Sequence, residues 1–420
     1  INSTDSDLFK IRLQWIARKH LVKLILSIDK TFSKTLNMKK FTLILLILIF
    51  VSSFLSNAQE DENNKYKFTT VTEVGATSVK NQYRSGTCWD YAALSFLESE
   101  ILRIKGKIVD LSEMYVVRCI YPIKAENYIR RHGNASFSPG GQSHDVIIAF
   151  NKKGLVPEVI YKGLNNGEDK PNHGEMDAVL KAILDAVLKK KGGTITPVWL
   201  QAFEAVLDVY LGEEPEIFKY EGVDYSPRTF ADEIGINPDD YIELTSFTHH
   251  PFYKSFVLEI PDNWSMGLYY NLPIEELIEV MDFALSNGYS VSWDGDVSEK
   301  DFSHQDGVAI LPLKDWNEKT EEEKKKTRKE PEPEKVVTQE MRQETFDNQL
   351  TTDDHLMHLT GIVIDQAGTK YYKTKNSWGE DRNDFGGFLN MSEAYVKLKT
   401  IAIMVHKDAI PKGIAKKLKL

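Results

Sequence analysis

Apolar residues recur at helical spacing through the first half of this chain and fall into short strand-like runs near its end. That order constrains the fold more than any other feature. Ala92, Ala93, Phe96, Leu97 and Ile101, set between Gly86 and Gly106, mark a helix over 87–104. A second helical stretch covers 111–128, with Ser112 placed to cap it. Met176, Val179, Leu180, Ile183, Leu184, Val187 and Leu188 form a third stripe, stopped by Gly192-Gly193. Thr196-Pro197 opens a fourth, carrying Trp199, Leu200, Phe203, Val206, Leu207, Tyr210 and Leu211. A last long helix over 273–287 leads to a strand at 289–293. Further strands follow at 356–365, 370–374, 388–391 and 401–406. Helices early and strands late predict an α+β protein with segregated lobes. Residues 319–335 are almost wholly Glu, Lys, Arg and Pro and read as a solvated loop or linker.

Composition excludes several function classes. The chain has 420 residues, is 42% hydrophobic and carries a formal charge of -10. It is neither collagen-like, nor disulfide-dense, nor globally disordered. Net acidity argues against nucleic-acid binding, which needs clustered Lys and Arg. Two cysteines, Cys88 and Cys119, allow one disulfide at most and exclude a four-thiolate metal site. No metal and no cofactor is expected.

The first 58 residues read as something other than fold. Met38, Lys39 and Lys40, the apolar run 41–55 and the small residues Ser56-Asn57-Ala58 before Gln59 have the form of a signal peptide at 38–58. The competing reading is a membrane anchor, since the uncharged stretch 41–58 is near spanning length. Residues 1–37 read as an upstream extension of the gene model, or as an amphipathic helix around 11–28. The chain holds 52 basic and 62 acidic residues; removing the nine and three in segment 1–58 leaves a net charge of -16. The expectation is an exported, periplasmic or extracellular protein with no stable membrane partner once the signal is cleaved.

The chemistry concentrates in three places. In Asn81-Gln82-Tyr83-Arg84-Ser85-Gly86-Thr87-Cys88-Trp89, a cysteine stands at the start of a helix. Free N–H groups and the positive end of the helix dipole stabilise a thiolate there. The Gln82 amide, on the loop before it, can reach a developing oxyanion. Cysteine alone is more often a buried structural residue. Asp354-His355-Leu356-Met357-His358, opening one strand, and Asn376-Ser377-Trp378-Gly379, following the next, change that reading. They supply a base for the thiol and an acceptor that fixes the base's tautomer. His358 is the rival base, and on a strand it faces away from His355.

Gln82, Cys88-Trp89, a distal histidine and Asn376-Ser377-Trp378-Gly379 together resemble the papain family of cysteine peptidases. Cys88 and His355 are 267 residues apart, against roughly 130–150 in ordinary papain relatives. With Leu111-Ser112-Glu113, Gly140-Gly141-Gln142 and Gly154-Leu155-Val156-Pro157, the chain resembles the bleomycin hydrolase/aminopeptidase C branch over about residues 70–412. The resemblance implies a two-lobed fold, one lobe helical and one a β-barrel, with insertions near 165–260 and 316–350 and the site in the cleft. It implies Cys88 as nucleophile, His355 as general base and acid, Asn376 as its orienting partner and Gln82 as oxyanion donor. Trp378 would cover the His–Asn bond beside the site, with Trp89 next to the nucleophile, and Gly140-Gly141 would pair with a bound peptide unless they are a plain turn. Peptides are then the substrates, and a homo-hexamer is the assembly found in the branch.

Some features leave alternatives open. Asp90 would raise the thiol pKa, or else points outward in the first helical turn. His249, His250 and His304 have no matching context and read as surface residues, while Cys119 reads as core. An aminopeptidase of this branch offers a terminal carboxylate to the substrate's amine. Residues 412–420 would lie in the cleft for that purpose, or form an amphipathic surface helix. Beside the peptidase, two other functions fit the sequence: a papain-fold binding protein of weak or no activity, and an acyl or amide transferase using the same nucleophile.

Overall fold

The helical stripes fold where the sequence marks them. In the computed structural model, which describes residues 65–420, β1 (Thr69–Glu73) leads to α1 (Cys88–Lys105) and α2 (Glu113–Arg130). The readings of residues 1–37 and of the signal segment 38–58 lie outside the described residues. The Ser112 hydroxyl accepts the Tyr115 N–H at 3.1 Å, so the expected cap closes α2. Next come α3 (Ser143–Lys153), α4 (Gly174–Leu188), α5 (Val198–Leu211), the hairpin β2 (Phe218–Tyr220) and β3 (Val223–Tyr225), and α6 (Pro227–Glu233). Leu180 and Leu184 of α4 and Phe203 and Leu207 of α5 meet Phe96, Val117 and Ile120 of α1 and α2 in one apolar core. Cys119 is buried in that core, and both cysteines are free thiols.

The rest of the chain builds a sheet. β4 (Tyr241–Thr245), β5 (Ser255–Val257) and β6 (Leu268–Asn271) precede α7 (Ile274–Ser286). β7 (Val291–Gly295), β8 (Phe302–Ser303), β9 (Val308–Ala309), α8 (Glu321–Lys326) and α9 (Gln339–Asp347) follow. The chain then runs through β10 (His355–Ile364), β11 (Lys370–Lys375), β12 (Phe388–Ser392), α10 (Glu393–Lys399), β13 (Thr400–His406) and α11 (Lys412–Leu418). Eleven strands join in the order β5-β6-β4-β13-β7-β10-β11-β12-β9-β8, with β1 on β10. Alternation splits the faces of the central strands. Trp293, Met357, Leu359 and Ile403 pack with Leu277 and Met281 of α7 in a second core. Leu356 belongs to the helical core instead. α1 crosses β7 and β10 and is the shared wall of the two lobes.

The charged run is more ordered than its composition suggests. Three glutamates open and three lysines close α8, matching the helix dipole, and Thr320 caps it. Lys319 is buried, its ammonium donating to Thr327 at 2.7 Å and Glu332 at 2.8 Å. At the other end of the chain, α11 buries Ile414 and Leu418 in the sheet core, and Lys417 meets Glu276 of α7 at 2.7 Å. Among the described residues no helix is long and apolar enough to cross a membrane.

One ion pair ties the lobes. His144 at the start of α3 faces Glu243 of β4, with Nδ1 to Oε2 at 2.6 Å, and its Nε2 meets Ser265 Oγ at 2.7 Å. Burial alone would lower the imidazole pKa; the Glu243 carboxylate, helped by Asp145, outweighs it and lifts the value to about 9. A raised folded-state pKa gives stability that is complete below the ordinary value of 6.5 and lost as pH rises through about 9. Urea midpoints should therefore fall between those pH values by an amount equivalent to about 3 kcal/mol. Glu243→Gln should flatten that slope; an unchanged slope in the variant would show that this pair does not carry it.

Candidate active site

The turn before α1 aims Cys88. Gly86 has φ +69, and a Cβ there would stand 2.7 Å from Pro139 Cγ, so only glycine fits the turn. The Thr87 hydroxyl is taken by Ser85 Oγ at 2.7 Å, and no side chain caps α1. The Asp90 N–H turns back to Thr87 O at 3.1 Å, and Cys88, the first residue of the helix, sits at the positive end of its dipole. From the opposite lobe, the Leu356 N–H faces the same sulfur and works to lower its pKa.

β10 begins with His355, and the loop after β11 carries Asn376. His355 Nε2 lies 2.8 Å from Asn376 Oδ1, which also accepts the Ser377 N–H at 2.7 Å. That second bond identifies the oxygen as acceptor, so Nε2 carries the imidazole proton and Nδ1 is left with a lone pair. The Trp378 ring centroid is 5.0 Å from that of His355 and covers the pair. The same loop sets the glutamine. Ser377 Oγ donates to Gln82 Oε1 at 2.5 Å, and the Gln82 N–H donates to Ser377 O at 2.8 Å. With Oε1 held, the Gln82 amide N–H₂ points the other way. Trp89 donates from Nε1 to Pro139 O at 2.9 Å, which holds the irregular Gly140-Gly141 stretch against the start of α1. A Cβ on Gly141 would stand 2.4 Å from Asp145 Oδ2 and 3.1 Å from the Trp89 ring, and one on Gly140 would meet Asp262.

The structure corrects two expectations. His304 is not a surface residue: it is buried, its Nδ1 lies 3.3 Å from Asn376 Nδ2, and its ring meets the edge of Trp378 at 5.0 Å. The two-residue strands β8 and β9 that place it give no periodic signal in the sequence. Asp90 neither points outward nor opposes the thiol as a charge. It is fully buried with both oxygens unpartnered, and burial, aided by Glu113, raises its pKa well above normal, which disfavours its charge. Of the two readings of the tail, the amphipathic helix forms: residues 412–418 dock on α7 through Ile414, Leu418 and Lys417. His358 turns away from the site as expected, with Nδ1 on Ser95 Oγ at 2.9 Å. His249 and His250 bind the two oxygens of Glu259 at 3.1 and 2.8 Å on the surface. They form the one trio of potential metal ligands among the described residues.

Burial governs the resting electrostatics. It pushes the Cys88 thiol up to about 12, against the Leu356 N–H, with Asp294, Asp353 and Asp262 adding to the rise. It also lowers His355 to about 4, against the Asn376 bond. Burial therefore resists a lone charge on either group, so a charge on one is favoured only with the opposite charge beside it.

Known proteins resemble this chain in sequence and in fold. Residues 134–420 match the model of the peptidase C1-like family, and residues 66–180 match that of the papain family cysteine proteases. The chain is 25% identical to aminopeptidase C of Listeria monocytogenes, over 87% of this chain and 90% of that protein. It is 23% identical to aminopeptidase G of Lactobacillus delbrueckii subsp. lactis, over 81% and 83%. The crystal structure of PepW from Lactobacillus rhamnosis shares the fold, with a TM-score of 0.67 at 21% identity, covering 100% of this chain and 95% of that one. The chain belongs to the peptidase C1-like family, as a papain-type cysteine peptidase of the aminopeptidase C branch.

Proposed function

We propose that this chain hydrolyses peptide bonds through Cys88 and an acyl-thioester, releasing N-terminal residues. The observation that carries the proposal is the fixed imidazole: His355 Nε2 bonded to Asn376 Oδ1 at 2.8 Å under Trp378, while the next residue's N–H faces the thiol. His355 Nδ1 takes the thiol proton as sulfur attacks the carbonyl carbon. The oxyanion of the tetrahedral intermediate accepts from the Cys88 N–H and the Gln82 amide. The imidazolium then protonates the leaving amine, which departs and leaves the thioester. Water, deprotonated by the same imidazole, attacks the thioester and frees the acid and the thiol. The names of the aminopeptidase relatives support removal of N-terminal residues. We also propose that the protein is exported, on the signal segment 38–58; intact mass from the native host should begin at Gln59, and a chain retaining 38–58 in membranes would favour an anchor.

Cys88→Ser and His355→Ala should abolish turnover, while His358→Ala, whose side chain lies on Ser95, should keep most of it. Gln82→Ala should lower kcat by about 10²–10³-fold. Ser377→Ala, which frees the Gln82 amide, should cost about tenfold, the equivalent of one hydrogen bond. An epoxysuccinyl peptide should label Cys88. Labelling at Cys119, or a dead His358→Ala beside an active His355→Ala, would overturn the assignment.

A further inference from the structure

We infer that His249, His250 and Glu259 form a binding site for one zinc ion, separate from the catalytic residues, and that the ion clips the segment after β5 to the loop after β4.

The three side chains already converge. Glu259 lies between the imidazoles, its Oε2 3.1 Å from His249 Nε2 and its Oε1 2.8 Å from His250 Nε2. One ligand atom from each residue falls within 4.8 Å of the other two. A tetrahedral zinc with bonds of about 2.0–2.1 Å holds its ligand atoms about 3.4 Å apart, so a modest turn of these surface side chains seats the ion. Exposure leaves the fourth position to water. Two imidazoles and one carboxylate suit zinc, whereas calcium and magnesium take oxygen ligands. Against the effect of partial burial, the His250 and His249 bonds hold the Glu259 carboxyl below its usual range, so the anion that a metal needs is present.

A fixed frame presents the ligands. Asn271, buried in β6, donates from Nδ2 to the carbonyls of Phe247 at 2.7 Å and His250 at 2.9 Å, and its Oδ1 accepts the Phe247 N–H at 2.9 Å. The His249 ring stacks on Phe346 of α9, with centroids 5.8 Å apart and planes 14° apart. The His250 ring stacks on Phe256 of β5, at 4.1 Å and 24°. Gln343 of α9 serves the outer nitrogen of His249, with Nε2 3.0 Å and Oε1 3.4 Å from Nδ1. Without metal, Gln343 Nε2 donates to Nδ1, and the His249 Nε2–H donates to Glu259. For zinc to take the Nε2 lone pair, that proton moves to Nδ1, where Gln343 Oε1 accepts it. Either tautomer is thus met by the same amide, as the outer nitrogen of a metal-bound histidine requires.

Position gives the ion its role. His249 and His250 follow β4, and Glu259 follows β5. Three residues beyond Glu259, Asp262 lies over Gly140. The clip therefore fastens the segment that brings Asp262 onto the glycine pair.

Zinc also binds thiolates, so the test uses the whole untagged chain carrying Cys88→Ser. Calorimetric titration with zinc chloride should show one ion per chain. Gln343→Leu, which keeps all three ligands, should weaken binding about 10–100-fold. His249→Ala, His250→Ala and Glu259→Gln, each on the same background, should weaken it by at least as much. Zinc at about 100 times its Kd should raise the melting temperature, and calcium or magnesium at the same concentration should not. Weak binding that the three ligand substitutions leave unchanged marks adventitious zinc and overturns the site. Tight binding with no rise in melting temperature overturns the clip. If a ligand variant does not fold, X-ray absorption of the zinc-loaded parent decides: two imidazoles with oxygen support the site, and one imidazole, or sulfur, overturns it. Each of these outcomes leaves the peptidase reading untouched.

Discussion

The site depends on the pairing of two short loops. Residues 80–82 and 377–379 come from opposite ends of the chain and bond through Gln82 N–H to Ser377 O at 2.8 Å and Gly379 N–H to Lys80 O at 3.1 Å. Asn376 precedes this seam and Cys88 follows it by six residues, so one short antiparallel contact sets the imidazole's partner and the oxyanion donor together. Ser377 bonds to both neighbours, with its N–H on Asn376 and its hydroxyl on Gln82. Without the seam, Cys88 of the helical lobe and His355 of the sheet lobe would be held in register only by more distant contacts such as α1 on β10 and the His144–Glu243 pair.

Behind the seam lies a second layer of buried polar groups. Lys375 donates to Ser95 at 2.7 Å and Thr77 at 2.9 Å, and His358 shares Ser95. Burial lowers the Lys375 pKa to about 8, against the attraction of Glu98. Lys80, with Asp110 and Glu113 around its ammonium, extends the layer to the loop that carries Gln82. Buried polar networks of this kind are costly to break and fix one arrangement of the elements they join. Here they sit under the residues whose geometry the chemistry requires.

Much of this was legible in the sequence, for a physical reason: the candidate catalytic residues stand on strong local signals. Cys88 opens an amphipathic helix after a glycine turn, His355 opens a long strand, and Asn376 follows a strand within a short polar motif. What stayed hidden depends on contacts across the fold. The β7–β10 register brings Asp294 opposite Leu356, which no local pattern encodes. Asp262 arrives from an insertion whose path over Gly140 is a tertiary fact. His304 sits between strands too short to show a period, and Asp90 sits in a first helical turn where either face was open. The run 319–335 looked solvated by composition, yet the buried Lys319–Glu332 pair anchors it.

The central claim is that Cys88 carries the acyl group of the substrate. Rapid-quench mass spectrometry during turnover of a slowly hydrolysed amino-acid ester measures this directly. The account predicts an acyl mass on the peptide containing Cys88 that builds up within the first turnover and decays as substrate is exhausted. Steady turnover with no acyl mass on Cys88, or an acyl mass on Cys119, would contradict it.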